Sequence, residues 1–172
     1  ESIPSERGPS LAVIIPLANE ECTIEGFLGD VLLNTRDDDR VFCVFDGACH
    51  DQSMVIAESV ASRESRLRII WAPENRCVVD AYFRGYRQAY EDGFDWILEM
   101  DGGGSHSPQE IPLFLTAMEA GYDFAAGSRF VPGGCHRGSL YRYAISRGGT
   151  ALVNAVLGTS MHDMTSGFQC FS

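Results

Sequence analysis

The stretch Trp96-Ile97-Leu98-Glu99-Met100-Asp101-Gly102-Gly103-Gly104 decides how the chain folds. A short, largely apolar run stops at an acid followed by three glycines. This reads as a buried strand whose carboxyl end opens onto a loop where backbone can approach a ligand closely. Working outward, the pattern recurs at Leu11–Ile15, Val41–Phe45, Leu67–Trp71, Phe124–Gly127 and the start of a last strand at Phe168–Phe171. Helical periodicity fills the intervals. Cys22–Leu33 places Ile24, Phe27, Leu28, Val31 and Leu32 on one face, and a helix capped by Asp51 runs through Met54, Ile56 and Val60. Val78–Glu91 is spaced by Ala81, Gly85 and Ala89, and Arg142–Leu157 reads as another amphipathic helix. Ser107-Pro108-Gln109-Glu110 predicts a capping box, with Glu110 reaching back to Ser107. Strands alternating with helices predict an α/β fold, a mostly parallel, Rossmann-like sheet flanked by helices.

Residues 1–10 read as a loose lead-in and 11–172 as one core, with both ends reading as cut. The 172 residues carry 24 Asp or Glu against 13 Lys or Arg, a formal charge of −11. That balance argues against a nucleic-acid binder, which needs a basic face, so an anionic ligand must be met by locally placed Arg. The longest apolar run, Leu11–Ala18, already broken by Pro16, falls far short of the roughly 20 residues of a membrane span. Cys22, Cys43, Cys49, Cys77, Cys135 and Cys170 stand singly, without a C-x-x-C, and read as reduced. Cys49 and Cys77 have no base partner in sequence and read as packing residues.

In open α/β sheets ligands settle at the carboxyl ends of the strands. Strand one ends in Pro16, Asn19, Glu20 and Glu21, strand two in Asp46, strand four in Asp101, and strand five in Ser128 and Arg129. Acids at strand ends with Arg nearby suit a nucleotide, whose base and ribose want acceptors and whose phosphates want cations. Taken singly, Asn19, Glu20 and Asp51 read equally well as caps and turn formers.

Ile14-Ile15-Pro16-Leu17-Ala18-Asn19-Glu20-Glu21, Val44-Phe45-Asp46, Met100-Asp101, Gly127 to Gly134, Ser146-Arg147-Gly148-Gly149 and Asp163 to Phe168 together resemble the ordered motifs of family-2 glycosyltransferases. The likeness is strongest to the dolichol-phosphate mannose synthase and polyprenyl-phosphate glycosyltransferase branch. It implies a GT-A fold in which a nucleotide sugar, GDP-mannose or a UDP-hexose, lies across the strand ends and gives its sugar to a lipid phosphate. By motif position, Pro16, Asn19 and Glu20 would line the nucleoside pocket, and Asp46 would contact the base. Asp101 would begin the acid pair that holds Mg²⁺ or Mn²⁺ on the donor pyrophosphate. Arg129, Arg142 and Ser146, with Arg147 adjacent, would meet the acceptor phosphate. The resemblance also implies work on the cytoplasmic side, peripheral to a membrane or anchored there through parts outside this chain.

Three departures bear on these roles. The family's D-x-D reads Asp101-Gly102-Gly103, so the second acid is missing and the predicted metal site is weak, with His106 a further candidate ligand. A lone loop His is equally a capping residue. Asp-Asp-Gly-Ser appears as Asp46-Gly47-Ala48-Cys49, keeping only the first acid. The Gly-x-Gly before the third helix reads Cys77-Val78-Val79, which leaves Asp80 to offer a sugar hydroxyl a carboxylate or simply to cap the helix.

The predicted reaction is inverting transfer. A phosphate acceptor is already ionised and needs no base, whereas a hydroxyl acceptor would, and Asp163 is then the first candidate, with Gln169 in the same segment. The rival reading is a GT-A-like module that binds a nucleotide sugar without transferring it. A sugar-1-phosphate nucleotidyltransferase is disfavoured, since Leu17-Ala18-Asn19-Glu20 is neither Gly-rich nor basic.

Overall fold

A computed structural model describes residues 8–134 and 139–172. Most of the expected lead-in, and Cys135, lie outside these residues. Six strands form one sheet: β1 (Leu11–Leu17), β2 (Arg40–Phe45), β3 (Leu67–Trp71), β4 (Trp96–Glu99), β5 (Phe124–Ala126) and β6 (Gln169–Phe171), in the order β3-β2-β1-β4-β6-β5. The first four run parallel, and β6 runs antiparallel to both β4 and β5. The helices are α1 (Ile24–Leu33), α2 (Ser53–Ala61), α3 (Val78–Glu91), α4 (Ile111–Glu119) and α5 (Leu140–Leu157), with a 3-10 turn at Pro108–Glu110.

Strand β1 shows why the order is a sandwich of three layers. Its odd residues Leu11, Val13, Ile15 and Leu17 pack with α1, α2 and α4, while Ala12 and Ile14 pack on the opposite face with Phe42, Val44 and the small residues of α3. A strand buried on both faces reads as a continuous apolar run, as this one does. Gly85 sets the closeness of α3, because a Cβ there would stand 2.3 Å from Ile14 Cγ2. At the amino end of the sheet, the fully buried Asp39 accepts hydrogen bonds from the Leu11 and Arg36 backbone N–H groups and from the Arg36 guanidinium.

Two local expectations are corrected. The Ser107 hydroxyl donates to Gln109 Oε1 at 2.7 Å rather than capping, and Glu110 continues through a 3-10 turn into α4, so no capping box forms. Helix α5 begins two residues earlier than expected and is turned out: only Thr150 is buried, while Tyr141, Ile145, Leu152 and Val156, all on one stripe, are exposed. The amphipathic pattern is present, yet the core does not receive it.

Candidate active site

With the strand order 3-2-1-4, the direction in which successive strands are added reverses between the parallel β1 and β4, and a crevice opens outside their carboxyl ends. A cavity of about 460 Å³ occupies that place, lined by Pro16, Glu20, Asp46, Arg76, Asp101 and Ser105 among others. The glycine loop is built for it. A Cβ at Gly102 would lie 2.2 Å from Leu17 Cδ2 and 3.3 Å from the Pro16 carbonyl oxygen, so only glycine lets the β4 loop lie against the end of β1.

Asp101 is the best-prepared group in the cavity. The Tyr82 hydroxyl donates to Asp101 Oδ1 at 2.9 Å, and Ser105 Oγ donates to Oδ2 at 3.2 Å. Tyr82 follows from a match of two periods: Glu99 and Asp101, two residues apart along the β4 direction, share one face, and Tyr82 and Tyr86 stand one turn apart on α3. Tyr86 donates to Glu99 as Tyr82 donates to Asp101. Burial pushes the Glu99 carboxyl above its usual range, and burial beside these acids keeps both tyrosines protonated. The sequence reading missed Tyr82. The signal was available, since Tyr82 and Tyr86 flank the Ala81-Gly85-Ala89 stripe one position on.

His106 is not placed as a ready metal ligand. Its Nδ1 accepts the Asp101 backbone N–H at 3.0 Å, and its ring stacks on Phe168 with centroids 4.6 Å apart. Burial holds its pKa below the ordinary histidine value. A neutral imidazole that accepts at Nδ1 carries its proton at Nε2, the atom 3.7 Å from Asp101 Oδ2, so no lone pair faces the cavity there.

The remaining expected residues divide. Pro16, Glu20 and Asp46 line the cavity. Asp46 Oδ1 accepts the Ala48 N–H at 2.8 Å, a turn that orients the carboxylate on its loop. Asn19 braces the neighbouring loop: at φ 60°, which Asn tolerates, its Nδ2 donates to the Ala48 carbonyl and its Oδ1 accepts from the His50 N–H. Both ends of its amide are spent on the loop that carries Asp46. Asp80 uses its carboxylate at the start of α3, accepting the Arg76 N–H at 2.9 Å. Asp51 accepts from Glu21 N–H and Ser53 N–H, tying the β1 and β2 loops together at the start of α2.

Arg76, a cation of this cavity, was missed because the end of β3 was not read for what it delivers. Asn75 beside it leaves its buried Nδ2 without a hydrogen-bond partner among the described residues.

The groups expected at an acceptor lie apart from this cavity. Arg129 donates from Nε to Asp163 Oδ2 at 2.7 Å and from Nη2 to Asp163 Oδ1 at 2.9 Å. Asp163 is buried, and hydrogen bonds from Arg129 and Thr165 hold its carboxyl at about 2 despite the opposing cost of burial. Asp163, expected as the base for a hydroxyl acceptor, is here engaged with Arg129 as a clamp, and a carboxylate so stabilised is a poor proton acceptor at neutral pH. Gln169 lies on a strand rather than in a loop, inside the sheet on β6 between Glu99 of β4 and Ala126 of β5. Arg142 and Arg147 are exposed on α5, with Ser146 between them and partly buried. Arg129 and Arg147 converge on one ring, at 5.3 and 5.0 Å from the centroid of Phe130, a residue the motif reading left without a role.

The mostly parallel sheet places a polar crevice at its switch point, where ligands of open α/β sheets bind, and comparison with known proteins narrows the class. Residues 12–172 match Glycosyl transferase family 2, and the chain belongs to that family. It is 29% identical over 160 residues to polyprenol monophosphomannose synthase of Mycolicibacterium smegmatis, covering 92% of this chain and 60% of that protein. It is 30% identical over 159 residues to undecaprenyl-phosphate mannosyltransferase of Micrococcus luteus, covering 92% and 64%. Glucosyl-3-phosphoglycerate synthase from Mycobacterium tuberculosis, solved with Mn²⁺, UDP and phosphoglyceric acid, superposes with a TM-score of 0.70 at 18% identity, covering 96% of this chain and 56% of that one. The fold is thus the GT-A type, and the chain spans about 60% of the length of these relatives.

Proposed function

We propose that this chain is the donor-binding and catalytic part of an inverting glycosyltransferase that moves a sugar from a nucleoside diphosphate sugar to a polyprenyl phosphate. The observation that carries this reading is the switch-point cavity, which gathers Asp46, Arg76 and Asp101 from three different strand ends. Asp46 suits a base N–H or ribose hydroxyl, and Arg76 suits the pyrophosphate. The names of the relatives, which act on polyprenyl phosphates, support the acceptor class.

The donor set fits a divalent cation of the hard kind. Asp101 and Ser105 present oxygen to the cavity. Mg²⁺ or Mn²⁺ would then be held by Asp101 together with the donor's own pyrophosphate oxygens and water. When bound, the cation supplies positive charge against the departing nucleoside diphosphate. The protein's own contribution is positioning: Tyr82 and Ser105 fix the Asp101 carboxylate, and Arg76 offsets charge on the leaving group. An acceptor phosphate oxygen is ionised at neutral pH, so its in-line attack on the anomeric carbon requires no base, in keeping with the neutralised Asp163. Arg142, Ser146 and Arg147 on α5, with Arg129 beside Phe130, are the groups to receive that phosphate. A lipid acceptor brings the enzyme to a membrane surface, although no helix among the described residues is long and apolar enough to cross one.

The test has two stages. Calorimetric titration with UDP and GDP, with and without Mn²⁺, should give binding by at least one of them. Radiolabelled mannose or glucose from the matching nucleotide sugar should then appear on undecaprenyl phosphate in detergent. Binding without turnover on any polyprenyl phosphate would favour the rival reading of a binding module, and failure to bind either nucleotide would end the donor-site reading.

A further inference from the structure

The missing second acid of the D-x-D motif leaves a space at Gly103, and the structure shows what stands beside it. A Cβ built on Gly103 would lie 3.3 Å from Glu20 Oε1, so a side chain at 103 would enter the room that the Glu20 carboxylate already takes. Two features hold this juxtaposition. The close approach at Gly102 pins the β4 loop against Pro16 and Leu17, and the Glu20 backbone N–H donates to the Ser53 hydroxyl at 2.6 Å. Among the described residues, Glu20 Oε1 receives no hydrogen bond and no ion pair, and Oε2 has only the Thr23 hydroxyl at 3.4 Å. The partly exposed carboxylate thus stands in the same cavity as Asp101 with an oxygen that no described protein group takes up, in a chain of net charge −11.

We infer that Glu20 replaces the absent second acid: delivered by the end of β1 instead of by the β4 loop, it is the second carboxylate that, with Asp101, holds the divalent cation on the donor pyrophosphate. The inference rests on the donor-site reading above and moves Glu20 from the nucleoside pocket, where its motif position put it, to the metal. Chemically the exchange is conservative, since a hard cation requires carboxylate oxygens in its reach and is indifferent to which strand supplies them. Backbone geometry also leaves position 103 open to an acid, because Gly103 is not among the residues at positive φ, whereas Gly104 is.

Mn²⁺ binding, followed by electron paramagnetic resonance at saturating UDP or GDP, tests the assignment without reference to turnover. Glu20→Gln should weaken Mn²⁺ binding to the nucleotide-bound protein by about tenfold or more, and should leave UDP or GDP affinity measured in EDTA unchanged. Gly103→Asp introduced into a Glu20→Ala protein should recover most of the Mn²⁺ affinity that Glu20→Ala loses, because it restores a carboxylate to the space the Glu20 side chain vacates. Unaltered Mn²⁺ binding in Glu20→Gln, an equal loss of metal-free nucleotide affinity, or no recovery in the double variant would each overturn the assignment. Absence of UDP and GDP binding to the unaltered chain would instead overturn the donor-site reading, and this inference with it.

Discussion

Along the β1–β4 side of the sheet the polar groups at the strand ends are braced from behind and left facing a cavity, whereas on the β5–α5 side they are answered by one another. Tyr82 and Ser105 hold Asp101, and Asn19 holds the loop of Asp46, yet each carboxylate still lines the crevice. Across the sheet, Arg129 and Asp163 neutralise each other, and α5 turns an apolar stripe outward. The first region is organised for a ligand within this chain. The second has a rigid clamp and an exposed helix, and its Arg129 and Arg147 meet around Phe130.

The largest expected effect tests the clamp. Arg129→Ala should destabilise the fold by about 3 to 5 kcal/mol in urea unfolding, because it leaves the buried Asp163 charge unanswered. If stability holds while only transfer falls, the pair belongs to the acceptor site rather than to the fold. The same pair sets a pH dependence. With its folded value depressed to about 2, Asp163 contributes stability that is complete above about pH 4 and is lost as pH falls through its folded value, about 2 kcal/mol in all. His106, partly buried and depressed in the same sense, adds a loss that begins below about pH 6.5. Urea midpoints between pH 2 and 8 should therefore fall in two steps on acidification.

On the braced side, Asp101→Asn should lower transfer by about 100-fold, a cost of about 2.7 kcal/mol, with the cooperative melt retained. Unchanged activity in this variant, together with indifference to EDTA, would remove the cation from the reaction. Tyr82→Phe should weaken Mn²⁺ binding in the presence of nucleoside diphosphate by about tenfold, since it frees one oxygen of Asp101 to rotate. An equal loss in metal-free nucleotide binding would mean that Tyr82 only shapes the pocket. The smallest effect belongs to the exposed stripe: Leu152→Glu should change unfolding free energy by less than about 0.5 kcal/mol, because the side chain has no core to leave. A larger loss would show that α5 is packed in solution.

How much of this was readable before folding depends on the range of the interaction concerned. Strand β3 and helix α3 fell on their predicted bounds, because a fully or half-buried element writes its period into consecutive residues. The capping box failed for a local reason, since Ser107 found Gln109 two residues away before it found a helix N–H. Pro16, Glu20, Asp46 and Asp101 could be nominated because strand ends are visible as the places where apolar runs stop. Arg76 could have been found by the same rule.

The sequence alone determined the class of fold, the family and the loss of the second acid, all of which are properties of residues in order. Only the tertiary structure decided that Asn19, Asp80 and Asp163 spend their side chains on backbone and Arg, and that Tyr82 reaches Asp101 from another element. It alone placed Glu20 against Gly103, more than eighty residues away in the chain. The reason is geometric: neighbouring parallel strands bring remote loops to one edge, and which polar groups pair there depends on distances of about 3 Å that no linear spacing encodes.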